Sequence, residues 1–277
     1  MKPESWTGII GALAIAWCSG ALAAGETVTG SPEVASATLI VRGDRLFIPA
    51  RLNGIETRDA LLDSGAELSL VDQAFAQQAG LVTTGTETAR GTGGEEEVTF
   101  AQGVTIEAAG IRLENRPVAV LDLGDIATRL VGSPVTMIVG RELFDAARLA
   151  IDIENGTIAA VGRDQVPVGL QLTMDTHNAL QTIPVAVEGG APVQAEFDLG
   201  NGSEVLIGAA YAERAGLLAP DRIVGQKSGG GIGGEVERDL VVLAELEVAG
   251  VSFRDVPAAI DRTDNAGDVN VGVRILR

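Results

Sequence analysis

Histidine and cysteine each occur once in 277 residues, and that scarcity removes most of the usual catalytic apparatus. The one histidine, His177, stands in the polar stretch TMDTHNALQ, and no G-x-S-x-G elbow supplies a nucleophile for a Ser-His-Asp triad. The one cysteine, Cys18, lies in a leading apolar segment. Cys-His catalysis, disulfides and zinc sites built on His and Cys are therefore excluded from the remainder. Aromatics make up only 3% of the chain, so its core must be built from Val, Leu, Ile and Ala. Cations are also short, 20 Lys and Arg against 38 Asp and Glu; a formal charge of −18 repels phosphate backbones and excludes nucleic acid as a partner. The glycine clusters GTGG (91–94) and GGGIGG (229–234) lack the Lys-Ser/Thr of a phosphate loop, and neither opens a dinucleotide-binding unit. No metal and no cofactor is expected. Carboxylates are left as the reactive groups.

Residues 1–24 carry the pattern of an export signal: Lys2, then the apolar run GIIGALAIAWCSGALAA, then Ala21-Leu22-Ala23 as a small-residue cleavage site. That run is short of the roughly 20 residues of a membrane span. The expectation is a periplasmic or secreted protein, with a linker at 25–37 and no membrane contact once the signal is removed.

The rest of the chain repeats itself. FIPARLNGIETRDALLDSGAELSLVDQAFAQQAGL (47–81) lies over TIPVAVEGGAPVQAEFDLGNGSEVLIGAAYAERAGL (182–217), with Ile48-Pro49, Gly54 and Asp63 matching Ile183-Pro184, Gly189 and Asp198. The match continues through Gly91-Thr92-Gly93-Gly94 with Gly231-Ile232-Gly233-Gly234, and through the glycines of MIVGREL and VNVGVRIL, Gly140 and Gly272. Such ordered coincidence marks a tandem duplication. Each unit reads mainly as strand, with a hairpin turn at Asn53-Gly54 and short helices in VDQAFAQQAGL, GAAYAERAGL and, after Gly140, RELFDAARLA. Two copies of one unit imply two lobes about a pseudo-twofold axis, which makes Asp63 and Asp198 symmetry mates.

Two carboxylates held near a common axis cannot both ionise cheaply, so one retains a proton. The pair then offers a general base to activate water and a general acid to protonate a carbonyl oxygen. This is amide hydrolysis without histidine, thiol or metal. Gly65 and Gly200 follow the two aspartates at equal spacing, where an N–H can point back at the carboxylate. Ser64 adds a hydroxyl. The glycine-rich hairpins Gly91–Gly94 and Gly231–Gly234 suit mobile covers that grip an extended peptide.

The sequence LLDSGA at 61–66, the glycine hairpin at 91–94 and IVG at 138–140, in that order, resemble the bacterial retropepsin-like aspartyl proteases. The tandem arrangement resembles the bilobal layout of pepsin-like enzymes. The resemblance covers residues 38–277 and implies an all-β protein of two closed barrel lobes with a few short helices. It also implies one catalytic aspartate from each lobe, Asp63 and Asp198, with Ser64, Gly65 and Gly200 in support and the two hairpins as flaps. The implied activity is endopeptidase cleavage of peptide or protein substrates, carried out by a monomer, with a homodimer as the alternative. The lobes are expected at 38–161 and 182–277, joined through 162–181. The second reads as shortened, since only five residues follow Gly272 while the first unit runs on through RELFDAARLAIDIENGTIAAV after Gly140. Departures from the family pattern gather in the second half: Leu199 in place of a hydroxyl, Asn201 in place of alanine, and Asn270 in place of an apolar residue. They motivate an alternative, a protease-like periplasmic module that binds peptides with little or no cleavage.

Overall fold

Matched turns start each repeat. Asn53-Gly54 (φ 48° and 83°) takes the left-handed pair that closes a two-residue hairpin between Leu52 and Ile55, and Glu188-Gly189 (φ 50° and 70°) takes the same pair at the matching turn, within a longer connection from Val187 to Val193. The computed structural model describes residues 36–162, 164–165, 168–177, 180–263 and 266–277, so the segment expected as an export signal, 1–24, and nearly all of the expected linker lie outside the described residues. Among the described residues no helix is long and apolar enough to cross a membrane.

The first repeat forms an eight-stranded sheet from β1 (Ile40–Arg42), β2 (Arg45–Leu52), β3 (Ile55–Leu62), β4 (Leu70–Asp72), β5 (Thr83–Gly91), β6 (Gly94–Ala108), β7 (Ile111–Leu121) and β8 (Met137–Val139). The second forms another from β9 (Asp175–His177), β10 (Leu180–Val187), β11 (Val193–Phe197), β12 (Val205–Gly208), β13 (Gly225–Gly231), β14 (Gly234–Val248), β15 (Val251–Asp261) and β16 (Val269–Val271). The orders are β1-β2-β3-β8-β4-β7-β6-β5 and β9-β10-β11-β16-β12-β15-β14-β13. Every strand of the first sheet thus has a mate eight places on. Extra pairings of β2 with β6 and of β10 with β14 curl each sheet toward closure. The fold is two all-β lobes, as the duplication implied.

Two expectations about the second half need adjusting. Its sheet has every strand of the first, so it is not short of barrel strands. After Gly140 the first unit continues with a helix at Glu142–Ala146 and strands at Arg148–Asp152 and Thr157–Val161, and these strands join Ala37–Thr38 in a separate three-stranded sheet. The segment 162–181 is also more than a connection, for it contributes β9 and the first residues of β10. The short helices expected from sequence are present at Gln73–Gln78, Ala209–Arg214 and, after Gly140, Glu142–Ala146.

Each lobe has its own aliphatic core, but the cores are not independent. Leu199 and Val273 of the second repeat are buried in the cluster built by first-lobe residues such as Leu46, Leu62, Val71 and Val139. Phe197 and Leu276 pack against both clusters. Burying aliphatic surface contributes roughly 25 cal/mol per Å², so this shared apolar seam holds the lobes together at the level of the dyad loops.

Candidate active site

The strand β3 ends in Ala60-Leu61-Leu62, all three buried, because here the chain passes between neighbours on both sides. Asp63 comes next. Its backbone N–H donates to the Val139 carbonyl at 3.0 Å, and the Asp198 N–H donates to Val271 at 3.0 Å in the same way. The glycine after each short strand completes the support. Arg141 N–H donates to Ala66 O at 2.7 Å, and Val273 N–H to Asn201 O at 2.8 Å. A Cβ at Gly140 would come within 2.9 Å of Ala66 O, and one at Gly272 within 2.0 Å of Asn201 O. The IVG element is therefore a shelf that only glycine allows to sit flush beneath each aspartate loop.

The two carboxyls meet across the axis: a Cβ placed on Gly65 would stand 3.0 Å from Asp198 Oδ1 and 3.2 Å from Asp63 Oδ1. Asp63 Oδ1 accepts from the N–H groups of Gly65 (2.8 Å) and Ala66 (3.1 Å); Asp198 Oδ1 accepts from Gly200 (2.8 Å) and Asn201 (3.2 Å). Glycine is needed at 65 and 200 for a reason the sequence does not reveal. A Cβ at Gly200 would stand 2.3 Å from Asp63 Cγ, and one at Gly65 would stand 3.0 Å from Asp198 Oδ1. Each glycine makes room for the opposite aspartate.

Ser64 interlocks the loops. Its hydroxyl donates to Phe197 O at 2.8 Å and accepts from Leu199 N–H at 2.9 Å. Leu199 returns no such bond, so the interlock is made from one side. Its side chain instead fills the first lobe's core and is 3% exposed. Apolar contact replaces the missing hydroxyl.

The pair is electrostatically unequal. Asp198 Oδ2 accepts from the Asn270 amide at 2.9 Å. The same amide donates to Glu196 at 3.1 Å, while Asn270 Oδ1 accepts from Asn201 Nδ2 at 2.9 Å. In the first lobe the corresponding positions are Ile138, Leu61 and Ala66: Leu61 pairs with Ile138 just as Glu196 pairs with Asn270. A polar cluster thus replaces an apolar one on the Asp198 side alone. Burial raises both carboxyls. Asp63 is pushed well above the usual carboxylate range by desolvation and then by the Asp198 charge; Asp198 rises less, because Asn270 and the backbone N–H groups favour its ionised form. Because Asn270 donates to Asp198 while Ile138 offers Asp63 no side-chain donor, the geometry favours the charge on Asp198 and the shared proton on Asp63. Asn270 stood out in sequence only as a departure; pairing the repeats residue by residue at Leu61/Glu196 and Ile138/Asn270 is the signal that exposes its role.

The hairpins expected as flaps lie over the dyad and touch one another. Gly93 N–H donates to Ile232 O at 2.9 Å, and Gly233 N–H reaches the Glu96 carboxylate at 3.3 Å. Gly91, Thr92, Gly231 and Ile232 line the cleft; Gly93, Gly94, Gly233 and Gly234 form the contact between the hairpins, where a Cβ at Gly93 would fall 2.2 Å from Gly234 O. Arg129, which sequence reasoning passed over, holds the second hairpin by donating to the carbonyls of Gly229 (2.8 Å), Gly231 (3.3 Å) and Gly234 (3.1 Å). Beneath this roof is a cleft of about 380 Å³ with Asp63 and Asp198 on its floor. Such a covered channel suits an extended chain, and the paired carboxyls suit attack by water on a carbonyl within it.

A family model described as aspartyl protease matches residues 48–143 and again 183–274, together more than half of the chain. No curated protein matches. Among solved structures, a retropepsin-like aspartic protease from Rickettsia conorii is 18% identical, the alignment covering 50% of this chain and 95% of that one with a TM-score of 0.33.

Proposed function

The chain belongs to the aspartyl protease family, and from that premise we propose that it is an endopeptidase whose catalytic dyad is Asp63 and Asp198. One observation carries the reading: the two carboxyls lie together in one cleft, and Asn270 donates to Asp198 but not to Asp63. The ionised Asp198 takes a proton from water as its oxygen attacks the scissile carbonyl carbon. Asp63 gives its proton to the carbonyl oxygen, leaving a neutral gem-diol. Asp198 then protonates the amide nitrogen, Asp63 takes back a proton from one diol oxygen, and the C–N bond breaks. Both carboxyls return to their starting states. Ser64, Gly65 and Gly200 keep them in register, and residues 91–94 and 231–234 enclose the peptide.

Because one chain supplies both aspartates, we infer that the monomer is the working unit. We also propose, from the pattern of residues 1–24, that it works after export. The test is digestion of a peptide library from acid to neutral pH with wild type, Asp63→Asn and Asp198→Asn. Either substitution is expected to cut kcat by at least about a thousandfold, with circular dichroism unchanged. Hydrolysis that persists in both variants rules the dyad out. A wild type that binds peptides and leaves them intact would instead support the binding-module reading that Leu199 motivates.

A further inference from the structure

Five cations line the cleft, Arg45, Arg129, Lys227, Arg238 and Arg274, in a protein whose formal charge is −18. Four of them have carboxylate partners. Arg129 pairs with Asp125 at 2.6 Å, Lys227 with Glu204 at 2.6 Å, Arg238 with Asp261 at 2.9 Å and Arg274 with Asp44 at 2.9 Å. Arg45 makes no ion pair among the described residues. Among the described residues its guanidinium makes a single hydrogen bond, from Nη1 to Gly43 O at 3.3 Å.

Arg45 opens β2 and reaches across to the second lobe. Its stem lies against Gly202, four residues after Asp198, where a Cβ would come within 2.6 Å of Arg45 Cγ. The side chain is half-buried and feels the charges of Asp198 and Asp63 more strongly than that of Asp44. Those two carboxyls cannot satisfy it: they share one negative charge, already held by Asn270 and backbone N–H groups. A partly desolvated cation without a counter-ion is costly, and a guanidinium presents a planar fork that fits a carboxylate through two hydrogen bonds. At the repeat offset of 135 its counterpart is Leu180, a buried core residue, so the feature occurs on one side of the axis only.

We propose that Arg45 forms a carboxylate-accepting subsite beside the dyad, so that the cleft selects peptides carrying an acidic group close to the scissile bond. The inference rests on the protease reading for what becomes of the peptide, but not for the binding itself. The carboxylate comes either from an aspartate or glutamate side chain or from a free peptide terminus.

Both sources are tested with peptides carrying Asp, Asn, Glu or Gln in turn at each position around the cleavage point, made with blocked ends and again with a free C-terminus. Cleavage is followed as kcat/KM, and dissociation constants are measured on reduced-amide versions that cannot be hydrolysed. The acidic member is expected to exceed its amide by about tenfold to a hundredfold at one position, the range for hydrogen bonds to charged groups. Arg45→Met, which keeps the stem and loses the charge, should bring that ratio close to one, and Arg45→Lys should retain part of it. Preference in the blocked series assigns the subsite to a side chain; preference confined to free termini assigns it to the terminal carboxylate. Equal binding of acid and amide by wild type overturns the proposal, as does a preference that survives Arg45→Met. Hydrolysis without acid preference removes the subsite and leaves the protease reading intact, whereas acid-selective binding without hydrolysis does the reverse.

Discussion

Asn270 donates to Asp198 at 2.9 Å, and its counterpart Ile138 has no donor to offer Asp63. Replacing Asn270 with Ile should lower kcat/KM by about tenfold to a hundredfold, the range for a hydrogen bond to a charge. It should also move the acidic limb of the pH–rate profile upward, since the ionised form of Asp198 loses a donor. The triple variant Glu196→Leu/Asn201→Ala/Asn270→Ile, which copies the first lobe's apolar set, should regain melting temperature while the displaced limb stays displaced. A limb that returns with stability would make the role of Asn270 structural. The dyad also affects stability through pH. Both carboxyls are raised in the folded state, so the folded protein holds their protons more tightly than the unfolded chain. Their contribution is fully present below the ordinary carboxylate range and is lost as pH rises through the raised values. Asp63→Asn should therefore melt several degrees above wild type at neutral pH, with the gap closing on acidification; a gap that widens in acid would contradict the burial argument. The two aspartates were legible because the repeat places them in register. The need for Gly65 and Gly200, and the burial of Leu199 in the opposite lobe, were not, because both arise from packing between residues far apart in sequence, 133 and 137 positions for the two glycines and the aspartates they face.

The hairpins differ from the dyad loops in what secures them. Glycine-rich sequence marked 91–94 and 231–234 as turns, yet nothing local announces that the tips touch or that Arg129 reaches across the cleft to hold one of them. Arg129 donates to three carbonyls of the second hairpin, leaving those bonds to water if it is removed. Arg129→Met should raise amide hydrogen exchange at 229–234 by about tenfold or more, with a smaller rise at 91–94 transmitted through the bond from Gly93 to Ile232. Unchanged exchange at both tips would mean that the hairpins support each other without Arg129. The short helices were easier to foresee, since alternating apolar residues and a closing Gly80 or Gly216 specify them locally.

The duplication told most of the architecture at the scale of the molecule, down to strands paired eight places apart. It did not tell how the halves adhere. Leu199, Val273, Phe197 and Leu276 carry the second repeat into the first lobe's core, so the lobes should unfold in one transition. Leu199→Ala, expected to cost about 2–5 kcal/mol, should lower that single transition without splitting it. Two resolved transitions in calorimetry would show the lobes to be separate folding units. The unmatched side chains also have a directional consequence. In a dimer of identical chains every residue occurs twice, so a peptide laid across the axis meets the same groups whether it runs forward or backward. Here Asn270 and Arg45 each occur once, and turning the peptide end for end exchanges the neighbours of its scissile bond. On the protease reading proposed above, that broken symmetry would let the cleft tell the amino end of a peptide from its carboxyl end.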